Sequence, residues 1–132
     1  MVQKWIFALL LLFALITSCE KDNAVDGSSA ADITFRNDSG YTFTNDTVGL
    51  SDTLRIVMIA AEGTDPLELF VLNVSYDGDP AIGTDTADIN VNPYMFDKQV
   101  ITRSVPGTEK WTFGVIEGDG DRTQRSITLV TQ

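Results

Sequence analysis

The stretch "GTEKWTFGVIEGDGDRTQRSITLV", residues 107–130, decides how the rest of the chain is read. In its first arm Trp111, Phe113 and Val115 alternate onto one face. In its second arm Ile127 and Leu129 do the same. Between the arms lies "EGDGDR", and Asp and Gly are the residues a tight turn asks for, because Gly takes positive φ and Asp bonds the local backbone. Two period-2 arms joined by such a turn predict a β-hairpin. The same rhythm runs backwards from it. "DITF" alternates, and "GYTFTND" is a weak strand rich in Thr and aromatics. "SDTLRIVMIAAEG" carries Leu54, Ile56, Met58 and Ala60 on one face. "PLELFVLNVSYDGDP" closes on Asp77-Gly78-Asp79-Pro80. "ADINVN" is short and precedes Pro93, and "KQVITRSVPG" ends at Pro106-Gly107.

Short strands with turn signals between them, and no long helical period, favour an antiparallel β-sandwich. Residues 32–132 number 101, enough for one such domain. A domain of that size buries somewhat over 60% of the surface its unfolded chain exposes. The expectation is an all-β immunoglobulin-like or fibronectin-type sandwich of about seven strands. The final hairpin resembles that of the disulfide-free immunoglobulin-like domains in Bacteroides-type lipoproteins: Gly, an aromatic-rich strand, an Asp/Gly turn, then a Ser/Thr-alternating strand. The resemblance implies the fold and no particular activity. Trp111 is expected as a core anchor, with an exposed sugar-stacking role as the alternative. Val57 and Ile59 make the second face of their strand apolar too. Either the chain's N-terminal segment covers that face, or it is an exposed patch that meets a partner.

The first residues read differently. "MVQKWIFALLLLFALITSC" has one basic residue, Lys4, then 12 apolar residues from Trp5 to Ile16. A membrane-spanning helix needs roughly 20, so this length suits the apolar core of a secretory signal. Ile16-Thr17-Ser18-Cys19 resembles the lipobox of bacterial lipoproteins. The resemblance implies a diacylglycerol on the Cys19 thiol, cleavage between Ser18 and Cys19, and a usually acylated new amino group. Two or more acyl chains anchor a protein stably where one does so only marginally. Residues 1–18 are then a signal peptide, residues 19–31 a lipidated cysteine and flexible tether, and residues 32–132 the folded domain. The polar "EKDNAVDGSSAAD" after Cys19 would span about 20 Å on average and about 40 Å when straight. Glu20-Lys21-Asp22 resembles the export signal of Bacteroides-type surface lipoproteins, which implies the outer face of the outer membrane.

Charge and chemistry then exclude several functions. The chain has 9 basic and 19 acidic residues and no histidine. Loss of Lys4 with the signal would leave eight basic residues and a net charge of −11. Nucleic-acid binding needs clustered cations, which this composition lacks. The sole cysteine is assigned to lipid, so neither a Ser/His/Asp nor a Cys/His nucleophile system can be assembled. Zinc loses its usual ligands for the same reason. No disulfide can staple the core. Fourteen of the acidic residues are Asp. Calcium takes 6–8 oxygen ligands, often from loop aspartates. Asp77, Asp79, Asp119 and Asp121, with Asp85 and Asp88 nearby in sequence, make calcium the one cofactor to weigh, against plain turn chemistry. Thr47, Thr53 and Thr86 each follow Asp and precede an aliphatic residue. That resembles the O-glycosylation acceptor pattern of Bacteroides-type bacteria. Together these readings predict a non-catalytic, lipid-anchored envelope module that offers its sandwich to a protein or glycan. The alternatives are a calcium-dependent adhesion-like module and a structural subunit of an envelope complex.

Overall fold

The computed structural model describes residues 29–132. Eight strands follow in order: β1 (Asp32–Phe35), β2 (Asp46–Val48), β3 (Thr53–Ala61), β4 (Leu67–Tyr76), β5 (Ile82–Asp88), β6 (Tyr94–Ile101), β7 (Gly107–Glu117) and β8 (Arg122–Thr131). They form a three-stranded sheet, β1-β3-β6, and a five-stranded sheet, β2-β8-β7-β4-β5. All neighbours are antiparallel except β2 and β8, which run parallel. This is the strand order of an immunoglobulin-like sandwich, with A-B-E on one sheet and G-F-C-C′ on the other. The short β2 joins the second sheet beside the last strand.

Three strand boundaries differ from the sequence expectation. The Thr- and aromatic-rich stretch 40–46 is not a strand until Asp46. It is held to β3 instead by the Thr42 N–H, which donates to the Arg55 carbonyl at 2.9 Å, as the Arg36 N–H just after β1 does to the Val57 carbonyl. The strand expected over 87–92 lies earlier, as β5, and Ile89 then turns back to donate to the Glu68 carbonyl. The strand expected over 98–107 also lies earlier, as β6. Its apolar alternation of Tyr94, Phe96 and Val100 is interrupted by Lys98 in the same phase, which hides it from a hydrophobicity reading.

The core lies between the sheets. Its centre is a chain of five rings that crosses from sheet to sheet. Phe35 on β1 meets Phe113 on β7 edge-to-face at 5.2 Å, and Phe113 meets Phe96 on β6 at 5.7 Å. Phe96 meets Phe70 on β4 at 4.9 Å, and Phe70 meets Tyr94 on β6 at 5.4 Å. Edge-to-face and offset contacts at these separations add about 0.5–1.5 kcal/mol each beyond the area they bury. Every link joins one sheet to the other, the task a disulfide has in antibody domains.

Trp111 is buried, as expected for a core anchor, in the inward row of β7 that also holds Phe113 and Val115. That row begins and ends in carboxylates. Glu109 is fully buried and Glu117 nearly so. Glu109 accepts the Trp111 indole N–H at 2.9 Å and the Arg103 backbone N–H. At the other end Glu117 accepts the Ala31 N–H at 3.2 Å and the Gly63 N–H at 3.4 Å. Ser29 and Thr64 exchange two further bonds beside it, at 2.8 and 2.9 Å. Ser29 to Ala31, expected in the tether, are thus fastened to the domain. The chain enters at the end of the sandwich that carries the β7–β8 turn.

Candidate functional site

Ser18, Cys19, Glu20, Lys21 and Asp22 lie outside the described residues. Thr47, Thr53 and Thr86 are all exposed, on β2, β3 and β5, and are not brought together. In the first two pairs the preceding aspartate accepts the threonine's own backbone N–H, Asp46 at 2.8 Å and Asp52 at 2.9 Å.

The four aspartates weighed for calcium separate into two pairs. β4 and β7 are antiparallel, with Tyr76 opposite Glu109 and Leu67 opposite Glu117. The turn after β4 therefore lies at one end of the sandwich and the turn after β7 at the other. Ten residues of β4 at about 3.3 Å each put roughly 30 Å between them. Each pair serves its own turn. Asp77 (φ 51°) and Gly78 (φ 82°) both take positive φ, and the Asp79 N–H closes onto the Tyr76 carbonyl at 2.8 Å. This is a type I′ hairpin turn. Asp119 accepts the Asp121 N–H at 2.9 Å, and Gly120 (φ 93°) donates to the Glu117 carbonyl. Among the described residues no three acidic groups converge as metal ligands. Chelator is therefore expected to leave the melting midpoint unchanged, and calcium to leave it unraised. A calcium-dependent rise would restore the adhesion-like reading.

Asp77 has a second task. One of its oxygens accepts the Thr108 N–H at 2.8 Å and the other pairs with Arg103 Nη1 at 2.6 Å. The Thr108 N–H first, and the guanidinium second, hold its pKa below the usual carboxylate value. A lowered folded-state pKa contributes stability that is fully present above the unfolded value of about 4 and is lost as pH falls through the lowered one. The gap in urea midpoint between wild type and Asp77→Asn should therefore be largest near neutral pH and shrink at about pH 3. An equal gap at both pH values would show that the charge has no part in it.

The two open sides of the sandwich differ. On one side run the free edges of β5 and β6. Asp85 lies opposite buried Leu72, and Lys98 opposite buried Ile56, so both project toward the space between the sheets. Inward charges on edge strands discourage edge-to-edge pairing. These two form an ion pair that bridges the sheets. The ammonium lowers the Asp85 pKa, and the carboxylate raises that of Lys98. Behind the bridge a cavity of roughly 330 Å³ reaches Leu72, Phe96 and Trp111.

On the opposite side β1 faces β8. Here the inward charge is Arg125, opposite fully buried Phe113. It has no ion-pair partner among the described residues, and it is exposed. Around it opens a groove of roughly 580 Å³, lined on one side by Asp32 and Phe35 of β1 and by Phe43, and on the other by Thr123, Gln124, Arg125 and Ser126 of β8. Phe43 is 43% exposed and Phe35 is half-buried. The groove therefore combines two aromatic rings, Phe35 and Phe43, with one cation, Arg125, and one carboxylate, Asp32. Sequence reading passed over it. The available signal was Arg125 in the phase of Ile127 and Leu129, where an apolar residue belongs.

The Val57/Ile59 face is not an open patch. Val57 is 1% exposed and Ile59 half-buried. Val57 lies opposite Asp97, and the Arg55 guanidinium bonds Asp97 through two nitrogens at 2.9 and 2.8 Å across that face. The Tyr41 ring stacks against Arg55 at 5.2 Å and against Arg36 at 4.6 Å. The cover is thus the loop after β1 and a cross-strand ion pair.

No protein-family model matches the chain, and no curated protein matches it.

Proposed function

We propose that the chain is a non-catalytic, lipid-anchored module of the bacterial cell envelope that presents its sandwich to a partner. The observation that carries the binding role is the β1/β8 groove: the Phe35 and Phe43 rings, an Arg125 with no ion-pair partner among the described residues, and among those residues no counterpart to the ion pair that closes the other side. Anchoring rests on the resemblance of Ile16-Thr17-Ser18-Cys19 to a lipobox, and outward display on Glu20-Lys21-Asp22. The chain enters the domain beside the β7–β8 turn, so the end bearing Asp77 and Arg103 would point away from the bilayer. The groove would lie along the flank between the two ends. The exposure of Thr47, Thr53 and Thr86 is compatible with glycan attachment.

Anchoring is tested in the native host by metabolic labelling with an alkyne fatty acid. The wild-type chain should take up label and partition with membranes. Cys19→Ala should do neither. Equal membrane partition of the two would remove the lipid-anchored reading.

A further inference from the structure

Beside the groove runs a stretch of β8 backbone that pairs with β7 alone among the described strands. β2 covers β8 only at Leu129, Val130 and Thr131. Just before that contact, the Thr128 N–H points away from β7 and donates to the Asn45 side-chain oxygen at 2.8 Å. Backbone groups alternate direction along a strand, so Gln124 and Ser126 turn their N–H and C=O groups the same way. Among the described residues no strand lies there to receive them. The five-stranded sheet thus has an edge that is finished at one end by β2 and unfinished at the other.

An exposed edge of this kind is a template for another extended segment, with main-chain bonds supplying affinity and alternate side chains supplying specificity. Here the inward side chains of an added strand would meet Phe35 and Phe43, together with Arg125, in a groove that Asp32 also lines. Charge narrows the choice. Of the seven described Lys and Arg residues, four sit in ion pairs, namely Arg36, Arg55, Lys98 and Arg103. Of the other three, Lys110 lies opposite Thr128 and Arg122 opposite Ile116, both in the outward phase of their strands. Arg125 alone stands in the inward phase. A guanidinium prefers a carboxylate, which it can bind through two nitrogens.

We propose that residues 122–127 of β8 form a strand-addition site that takes one extended acidic segment of a partner protein, with its carboxylate against Arg125. The proposal rests on the reading of the chain as a binding module and names the site and the class of partner.

The test uses the full chain purified in detergent and a blocked probe peptide, Thr-Val-Thr-Glu-Thr-Val-Thr. A twin carries Lys in place of Glu, and two further twins are N-methylated on one or the other alternate set of amides. The Glu peptide is expected to bind about tenfold or more tighter than the Lys twin, the step between an attractive and a repulsive exposed pair. Arg125→Glu, at an exposed position that should not disturb folding, should reverse the order. One N-methylated twin, blocked on the side that faces β8, should fail to bind. Amide exchange at Gln124 and Ser126 should slow when the Glu peptide is added. Absent binding, equal affinity for Glu and Lys, or equal binding of both N-methylated twins would overturn the proposal. So would a concentration-dependent dimer lost in Arg125→Glu, which would make the occupant a second copy. Fatty-acid labelling at Cys19 is scored separately, so failure of the strand site leaves anchoring standing, and the reverse.

Discussion

Replacing Phe113 by alanine is expected to cost about 3–5 kcal/mol of folding stability, the range for removing a fully buried aromatic ring from a core that cannot collapse around the gap. Phe113 is 0% exposed and touches rings on two strands of the opposite sheet, Phe35 at 5.2 Å and Phe96 at 5.7 Å. Its loss removes the first two of the four links in the ring chain and opens a void between the sheets. Domains of this size hold about 5–15 kcal/mol in total, so one substitution removes about a fifth of it or more. The midpoint should fall by roughly 20 °C, at about 4–8 °C per kcal/mol. Nothing covalent compensates, because the only cysteine is Cys19. Phe113→Leu should cost about 1–1.5 kcal/mol, since it keeps most of the apolar volume and loses only the ring-edge contacts. Urea unfolding followed by Trp111 fluorescence measures both variants. Equal losses from Leu and Ala would mean that the two ring contacts, and not the volume, hold the sheets together. No loss from either would remove the ring chain as the core's organising element.

The parts of this fold that the sequence announces are those where hydrophobic alternation and turn chemistry agree. β3, β4, β7 and β8 are legible in place because Ile56, Met58, Phe70, Leu72, Phe113 and Ile127 keep strict phase along their strands. The parts it hides are those where a polar residue takes an inward position. Lys98 breaks the run of β6. Arg125 breaks that of β8, and Glu109 and Glu117 extend the row of β7 past its last apolar member. Each of these follows the period of its strand and violates the polarity of its face. In each case the structure supplies the missing term, except at Arg125. Asp85 answers Lys98, and backbone N–H groups answer the two glutamates. The separation of the two Asp-Gly turns was equally out of reach of composition. It follows from three strands, β5, β6 and β7, lying between the turns, and an odd number of strands puts their turns at opposite ends.

The acidic ends of the β7 row lead to the second large effect. Glu109→Leu keeps the side chain's bulk and removes a fully buried polar group. It also strands two buried donors, the Trp111 indole N–H and the Arg103 backbone N–H. An unmet buried donor costs about 1–3 kcal/mol, so the net expected loss is about 2–4 kcal/mol. Glu109→Gln should lie between wild type and Leu. Its amide has one accepting oxygen, and its NH2 group must face one of the two N–H groups. A double-mutant cycle isolates the contact. Trp111→Phe removes one of the stranded donors, so the Glu109→Leu/Trp111→Phe pair should lose about 1–2 kcal/mol less than the sum of the singles. Additivity would show that the indole bond carries no energy and that Glu109 acts only through Arg103. The Arg103 contact has its own readout. Arg103 also holds Asp77, so freeing its backbone should loosen the turn at the end of the sandwich away from the chain's entry. Amide exchange at Thr108, whose N–H Asp77 accepts, should then rise in Glu109→Leu and stay at the wild-type rate in Trp111→Phe. A wild-type rate in both would confine Glu109 to the core and separate that end's rigidity from it.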